Sequence, residues 1–202
     1  MTKASGSARE RLLAAADRLF YAEGIHMVGI DRLISEAGVA KGSLFYNFTG
    51  KDELVTAYLA GRHEDRRERI ARRQQGLIDP VERILAMFDV LEESALSPTY
   101  NGCPFANAYA EAAPDSVEAE AVKTFRTWLA GTFLALTREA SFANPEDVAR
   151  RLGVLYDGAI STSQLDAHPD AVRLAREMAV TVMASERRAG APAAHAIREG
   201  GR

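Results

Sequence analysis

Apolar residues recur every three or four positions along most of this chain. In residues 7–23, Leu12, Ala16, Leu19 and Phe20 share one helical face, and Gly24 then stops the period. A short apolar segment at 30–37 ends at Gly38, which stands where a left-handed cap would. Residues 40–48 predict another short helix, and 51–75 a long one lined over its first half by Leu54, Val55, Tyr58 and Leu59. The second half of that segment, RHEDRRERIARRQQ, alternates acids and bases and predicts a solvated connector.

After a break at 76–79, Pro80 suits a first helical turn, and Val81, Ile84, Leu85, Phe88 and Leu91 form a stripe. SPTYNG (97–102) reads as a loop, and Pro104 opens a helix to about Ala112. Val122, Phe125, Leu129, Phe133 and Leu136 mark a long helix ending near Ala140. Asn144 and Pro145 make a cap and first turn for a helix to about Ala167. His168-Pro169-Asp170 is a turn, and a last helix runs to about Arg188. No stretch alternates apolar and polar residues with β-branched enrichment, so no sheet is predicted. The expectation is an all-α fold of about nine helices. Residues 1–50 would form a compact three-helix unit, 51–188 a bundle of long helices, and the Ala/Gly-rich 189–202 a disordered tail.

The stretch AGVAKGSLFYNF (37–48) holds the first chemistry. On a helical wheel Ala40, Leu44 and Phe48 share one arc, the core face. Gly42, Phe45 and Tyr46 take the opposite arc, with Lys41, Ser43 and Asn47 at its edges. A surface helix without a task carries Glu, Lys and Ala there instead. Gly42 either starts the helix late or lets another backbone come close. A short helix, a tight turn at Ala37-Gly38-Val39 and a second short helix form a helix-turn-helix pattern, whose second helix enters the DNA major groove. Lys41 and Ser43 then lie where base contacts fall, and Tyr46 and Asn47 can reach phosphate or base. Phe45 can meet a thymine methyl. Lys51 and Gly29 stand at helix starts, where free N–H groups favour phosphate. Lys51 could equally be a solvated lysine beside Asp52 and Glu53.

A net charge of −3 argues against a nucleic-acid partner, but it averages two unlike parts. Residues 1–75 hold 13 Lys/Arg against 10 Asp/Glu, and the remainder 12 against 18, so the predicted DNA end is the less acidic one. The single cysteine, Cys103, cannot form an internal disulfide. With no apolar leader at the N-terminus and no long uncharged apolar run, the expectation is a cytoplasmic protein with no membrane partner. The four histidines are scattered, and no phosphate-cradling or nucleophile-elbow motif occurs, so no enzyme, metal or cofactor is expected.

Residues 7–60, ARERLLAAADRLFYAEG followed by GIDRLISEAGVAKGSLFYNFTGKDELVTAYL, resemble the TetR family of transcriptional regulators. NGCPFANAYAEAA resembles a subgroup whose sixth helix begins Gly-Cys-Pro-Phe. The resemblance implies a homodimer on a palindromic operator, usually a repressor, with a small-effector pocket in its second domain. Family-like DNA contacts would fall on Gly29, Lys41, Gly42, Ser43, Phe45, Tyr46, Asn47 and Lys51. Phe45 replaces a tyrosine of many members, and Gly29 and Gly50 replace hydroxyl-bearing caps, so phosphate contacts there would use backbone only. Thr49 with Asp52 could form the cap pair instead.

In the second half, two seams rich in small residues close the chain: Val148, Leu152, Leu155, Tyr156, Ala159 and Ile160, then Ala171, Ala175, Met178, Ala179, Val182 and Met183. They suit either an intrachain seam or a dimer interface. Met87, Phe88, Tyr100, Phe105, Tyr109, Phe125, Trp128 and Tyr156 are each core or pocket wall. Together they suggest an apolar cavity with a few hydroxyls, unmarked by fixed charge, for a hydrophobic or aromatic effector. Cys103 is either a buried structural thiol or a redox-sensitive one. The competing reading of the whole chain is a non-sensing DNA-organising protein with the same front end.

Overall fold

The computed structural model describes residues 6–166 and 170–190, with side chains as far as 186. Among these residues it contains nine helices and no strand: α1 (Ala8–Glu23), α2 (Ile30–Ala37), α3 (Lys41–Asn47), α4 (Lys51–Gln74), α5 (Pro80–Ala95), α6 (Pro104–Glu111), α7 (Val117–Glu139), α8 (Pro145–Leu165) and α9 (Asp170–Gly190). The expected disordered tail lies outside the described residues from 191 onward, as do His168 and Pro169 of the expected turn. The last helix reaches Gly190, slightly beyond the expected end.

Local chemistry explains most boundaries. Ser7 accepts from the Glu10 N–H, and the Glu10 carboxylate accepts from the Ser7 N–H, closing a capping box on α1. Asp79 caps α5 ahead of Pro80, Ser116 caps α7, and Asn144 caps α8 ahead of Pro145. Gly38 ends α2 in the left-handed region, at φ 60° and ψ 42°, and its N–H returns to Ile34 and Ser35. A Cβ built there would touch nothing within 4 Å, so a substitution costs backbone strain and no steric clash. Gly38→Val is expected to destabilise by about 1–2 kcal/mol and Gly38→Asn by much less. Denaturant midpoints compared at equal slope will test this.

Leu12, Leu19, Phe20, Leu33, Leu44, Phe48, Leu54 and Tyr58 are buried together, so α1 to α3 close around the start of α4. Farther along, Phe88 of α5, Phe133 of α7 and Tyr156 of α8 pack ring to ring, with centroids 5.6–6.2 Å apart. The helix α4 joins these two regions, and its 24 residues span about 36 Å.

The charged half of α4 corrects the expected solvated connector. Arg62, His63, Arg66, Arg69 and Ile70 fall on one face and turn inward, while Glu64, Asp65, Arg67 and Glu68 face solvent. Arg62 meets Asp17 of α1 with Nε–Oδ1 at 2.5 Å, and Arg69 donates to Ser94 Oγ at 3.0 Å. The stripe has helical period but is drawn in cations, whose long apolar stems can be buried. That is why a count of apolar residues misses it.

Candidate nucleic-acid interface and cavities

The helix α3 is shorter than expected. Ala40 is its extended N-cap and is exposed, while Phe48 is its extended C-cap and is buried beside Leu44. Leu44 and Phe48 fix the inner side. On the outer side Phe45 keeps 50% of its surface exposed and Tyr46 90%, flanked by exposed Lys41 and Gly42. Lys41 Nζ lies 3.3 Å from Asp31 of α2, an exposed ion pair worth about 0–1 kcal/mol that a phosphate can displace. Ser43 is half-buried, and the Asn47 amide donates back to Ser43 O at 2.7 Å.

Gly29 and Gly50, the N-caps of α2 and α4, supply no side-chain cap, so the first N–H groups of both helices lack one. Lys51 stands at the second of these ends with its ammonium 6.0 Å from the Phe20 ring centroid. The suggested cap pair of Thr49 with Asp52 is not formed. Thr49 donates through both its N–H and its hydroxyl to Glu53, which holds that carboxyl below its ordinary pKa.

Several cavities lie in the second half. One of these, about 460 Å³, is lined by α6, α7 and α8. Phe105, Tyr109 and Phe125 of the expected pocket residues line it. Phe105 and Phe125 stack face to face at 3.8 Å. The structure brings Met87, Phe88, Trp128 and Tyr156 elsewhere: the first two and Tyr156 are fully buried core, and Trp128 packs on Phe125 and His63. The expectation of a wall unmarked by charge is also corrected, because Lys123 and the Arg126–Asp157 pair line the cavity. Cys103 is buried at the cavity edge as the N-cap of α6. Tyr100 lines a smaller, polar cavity of about 120 Å³ beneath α1 and α4.

Hydrogen bonds tie this region to the helix-turn-helix unit. Tyr21 Oη of α1 donates to Gly102 O at 2.9 Å and accepts from Asn101 N at 2.8 Å. Glu111, the last residue of α6, accepts from Ile25 N at 3.1 Å and His26 N at 2.7 Å. One end of α6 thus borders the large cavity through Phe105, and the other holds the turn between α1 and α2.

His63 sits among Trp128, Phe125 and Phe105, with ring centroids at 5.0, 5.6 and 6.3 Å. Burial first, and the nearby Arg67 charge second, push its pKa below the ordinary 6.5. The imidazole therefore folds neutral, and the unfolded chain takes up its proton first as pH falls. His63 contributes full stability above pH 6.5 and loses it progressively below that value. His63→Phe should flatten the fall in stability across this acidic window, measured as unfolding free energy against pH. An unchanged slope would contradict the buried neutral assignment.

Among the described residues no helix is long and apolar enough to cross a membrane, and no three His, Cys, Asp or Glu side chains gather as a metal site. The geometry defines a helix-turn-helix DNA-binding protein with a helical second domain. The family model described as "Bacterial regulatory proteins, tetR family" matches residues 12–58. The chain is 38% identical over 87 residues to the HTH-type transcriptional regulator LmrA of Bacillus subtilis, covering 43% of this chain and 46% of that protein. It is 30% identical over 159 residues to the HTH-type transcriptional regulator YxaF of the same organism, covering 77% and 82%. The crystal structure of SCO4454, a TetR-family transcriptional regulator from Streptomyces coelicolor, superposes with a TM-score of 0.83 at 32% identity, over 89% of this chain and 95% of that one. The chain belongs to the TetR family of transcriptional regulators, and it is a DNA-binding regulator, not an enzyme.

Proposed function

We propose that this protein acts as a homodimer on a palindromic operator, as a repressor released by a small hydrophobic or aromatic effector held in the cavity between α6, α7 and α8. The observation that carries the DNA-binding half is the outward pairing of Phe45 and Tyr46 on a helix anchored by Leu44 and Phe48. Lys41, Gly42, Ser43, Phe45, Tyr46 and Asn47 form the groove-facing set, with Ser43 and Asn47 at its margins, and Gly29 and Lys51 take phosphates. Residues 1–50 serve as the DNA-binding domain and 51–188 as the effector-binding and dimerisation domain. The Gly-Cys-Pro-Phe segment at 102–105, where α6 begins, supports reading the chain as a member of a subgroup with that α6 start.

Release follows from geometry. The helix α4 begins at Lys51, beside the proposed phosphate contact, and passes the small polar cavity at Arg62 to Arg69. An effector that prefers one position of α6 pulls, through Glu111, Asn101 and Gly102, on the turn and on Tyr21. It shifts operator affinity only by its differential affinity for the two dimer shapes. The 460 Å³ cavity favours this reading over a non-sensing DNA organiser, because it falls within the size of small-molecule sites.

Selection of bound duplex from a random pool at low ionic strength tests the first half and should enrich a two-fold symmetric site with half-sites about 34–36 Å apart. A pool that stays random would sink it. Titrating aromatic compounds into the selected complex tests the second half. Effector-bound and DNA-bound dimers with identical α3 separation would rule out this route of release.

A further inference from the structure

The inward face of α4 carries three arginines, and two of them have carboxylate partners. Arg62 has Asp17, and Arg69 has Glu93 with N–O at 3.6 Å. Arg66 forms no such ion pair among the described residues, and its side-chain partner is Tyr156. Its Nη1 donates to the hydroxyl of Tyr156 at 2.7 Å, and Tyr156 is fully buried and kept protonated by that burial. Only a neutral group supports this guanidinium from within. Asp65 lies on the same cavity wall but is exposed and forms no pair with it. A shielded cation without a counter-charge is costly, and an anion beside it relieves that cost.

The lining of the same chamber supplies the second element. The Tyr100 hydroxyl is shut off from solvent and has no hydrogen-bond partner. Burial pushes its pKa up to about 12, so it retains a proton to donate. Ser94, Ser97 and Thr99 complete a polar rim around about 120 Å³. That space equals about four waters at ~30 Å³ each, enough for a carboxylate but not for a whole effector. We infer that this chamber between α1, α4 and the 97–103 loop is a binding site for a monoanionic carboxylate, held by Arg66 and Tyr100. A single unpaired cation matches one negative charge, and the planar guanidinium matches the carboxylate fork. Phe105 is a wall of both this chamber and the larger cavity, so the acid is either a free small acid or the acidic end of an aromatic ligand. A carboxylate here lies against Tyr21, the residue through which the 97–103 loop holds α1. The effect on DNA rests on the regulatory reading above, whereas the binding itself does not.

Thermal unfolding of the full chain with acetate, benzoate, inorganic phosphate and neutral benzamide tests the site. Benzoate or acetate should raise Tm in a concentration-dependent manner, and benzamide should not. A response to both acids identifies a free small acid, and a response to benzoate alone identifies an aromatic acid. Tyr100→Phe, which removes only the hydroxyl, should weaken the effective acid by about tenfold, and Arg66→Gln should abolish the response. The inference is overturned if benzamide matches benzoate, if phosphate outbinds both acids, if neither acid acts, or if Tyr100→Phe responds like the wild type. Operator binding of the ligand-free protein, measured in parallel, keeps the two readings apart. Its absence sinks the regulatory reading alone, and an absent carboxylate shift with DNA binding intact sinks this inference alone.

Discussion

Leu174→Glu combined with Met178→Glu is expected to leave the protein folded but monomeric, and to lower operator affinity by about 10²–10⁴-fold. Both side chains are exposed on the single chain, at 55% and 48%, and Val154 of α8 joins them at 68%. With Leu155, Gly158 and Ala159 they wall a broad apolar depression between α8 and α9. Apolar side chains so grouped mark a surface that a partner covers. The inner side of the same helices is already filled by Val148, Leu152, Tyr156, Val172, Ala179 and Met183, so new charges on the outer side need not disturb the core. Each half-site then binds alone, and the effective concentration that joins the two is lost. Sedimentation and operator titration measure the outcome. A double variant that still sediments as a dimer, or a monomer that binds the operator undiminished, would show that the interface lies elsewhere.

The small-residue seams illustrate how far the sequence could be read. Helical period placed α8 and α9 because apolar residues on two faces still repeat with that period. It could not say which face meets the chain's own core, since Leu155 and Met178 look like Leu152 and Met183 until a neighbour is known. The α2 boundaries were legible at both ends, where Gly29 and Gly38 leave little choice. Ends without such a residue drifted: Ala40 reads as helical but is extended as a cap. The candidate pocket was legible only as a set of rings. Phe105 and Phe125 reach a cavity while Phe88 and Tyr156 reach the core, and that division depends on where α6 lies across α7. Arg66 was hidden for the opposite reason. A run of alternating charge reads as solvated, and only the spacing of Arg62, Arg66 and Arg69 could have revealed one face turned inward.

On the DNA side, Lys51→Ala should weaken binding to every duplex alike, and Lys41→Ala and Tyr46→Ala should change which duplex is preferred. Lys51 sits at a helix end without a side-chain cap, where N–H groups and ammonium together suit a phosphate. A dimer presents two such lysines, so the slope of log affinity against log salt should become shallower by about two. Tyr46 lies on the face opposite Leu44 and Lys41 at the exposed start of the helix, where base edges would be read. Removing either should cost about 1–3 kcal/mol per half-site on the preferred operator and much less on unrelated DNA. Lys41 must leave Asp31 to make that contact, so Asp31→Asn should tighten binding slightly without altering preference. The variants separate the two roles because counterion release is blind to sequence and groove contacts are not. If Lys41→Ala and Lys51→Ala changed the salt slope equally and left preference intact, α3 would be a phosphate-binding helix, and sequence would have to be read by another element.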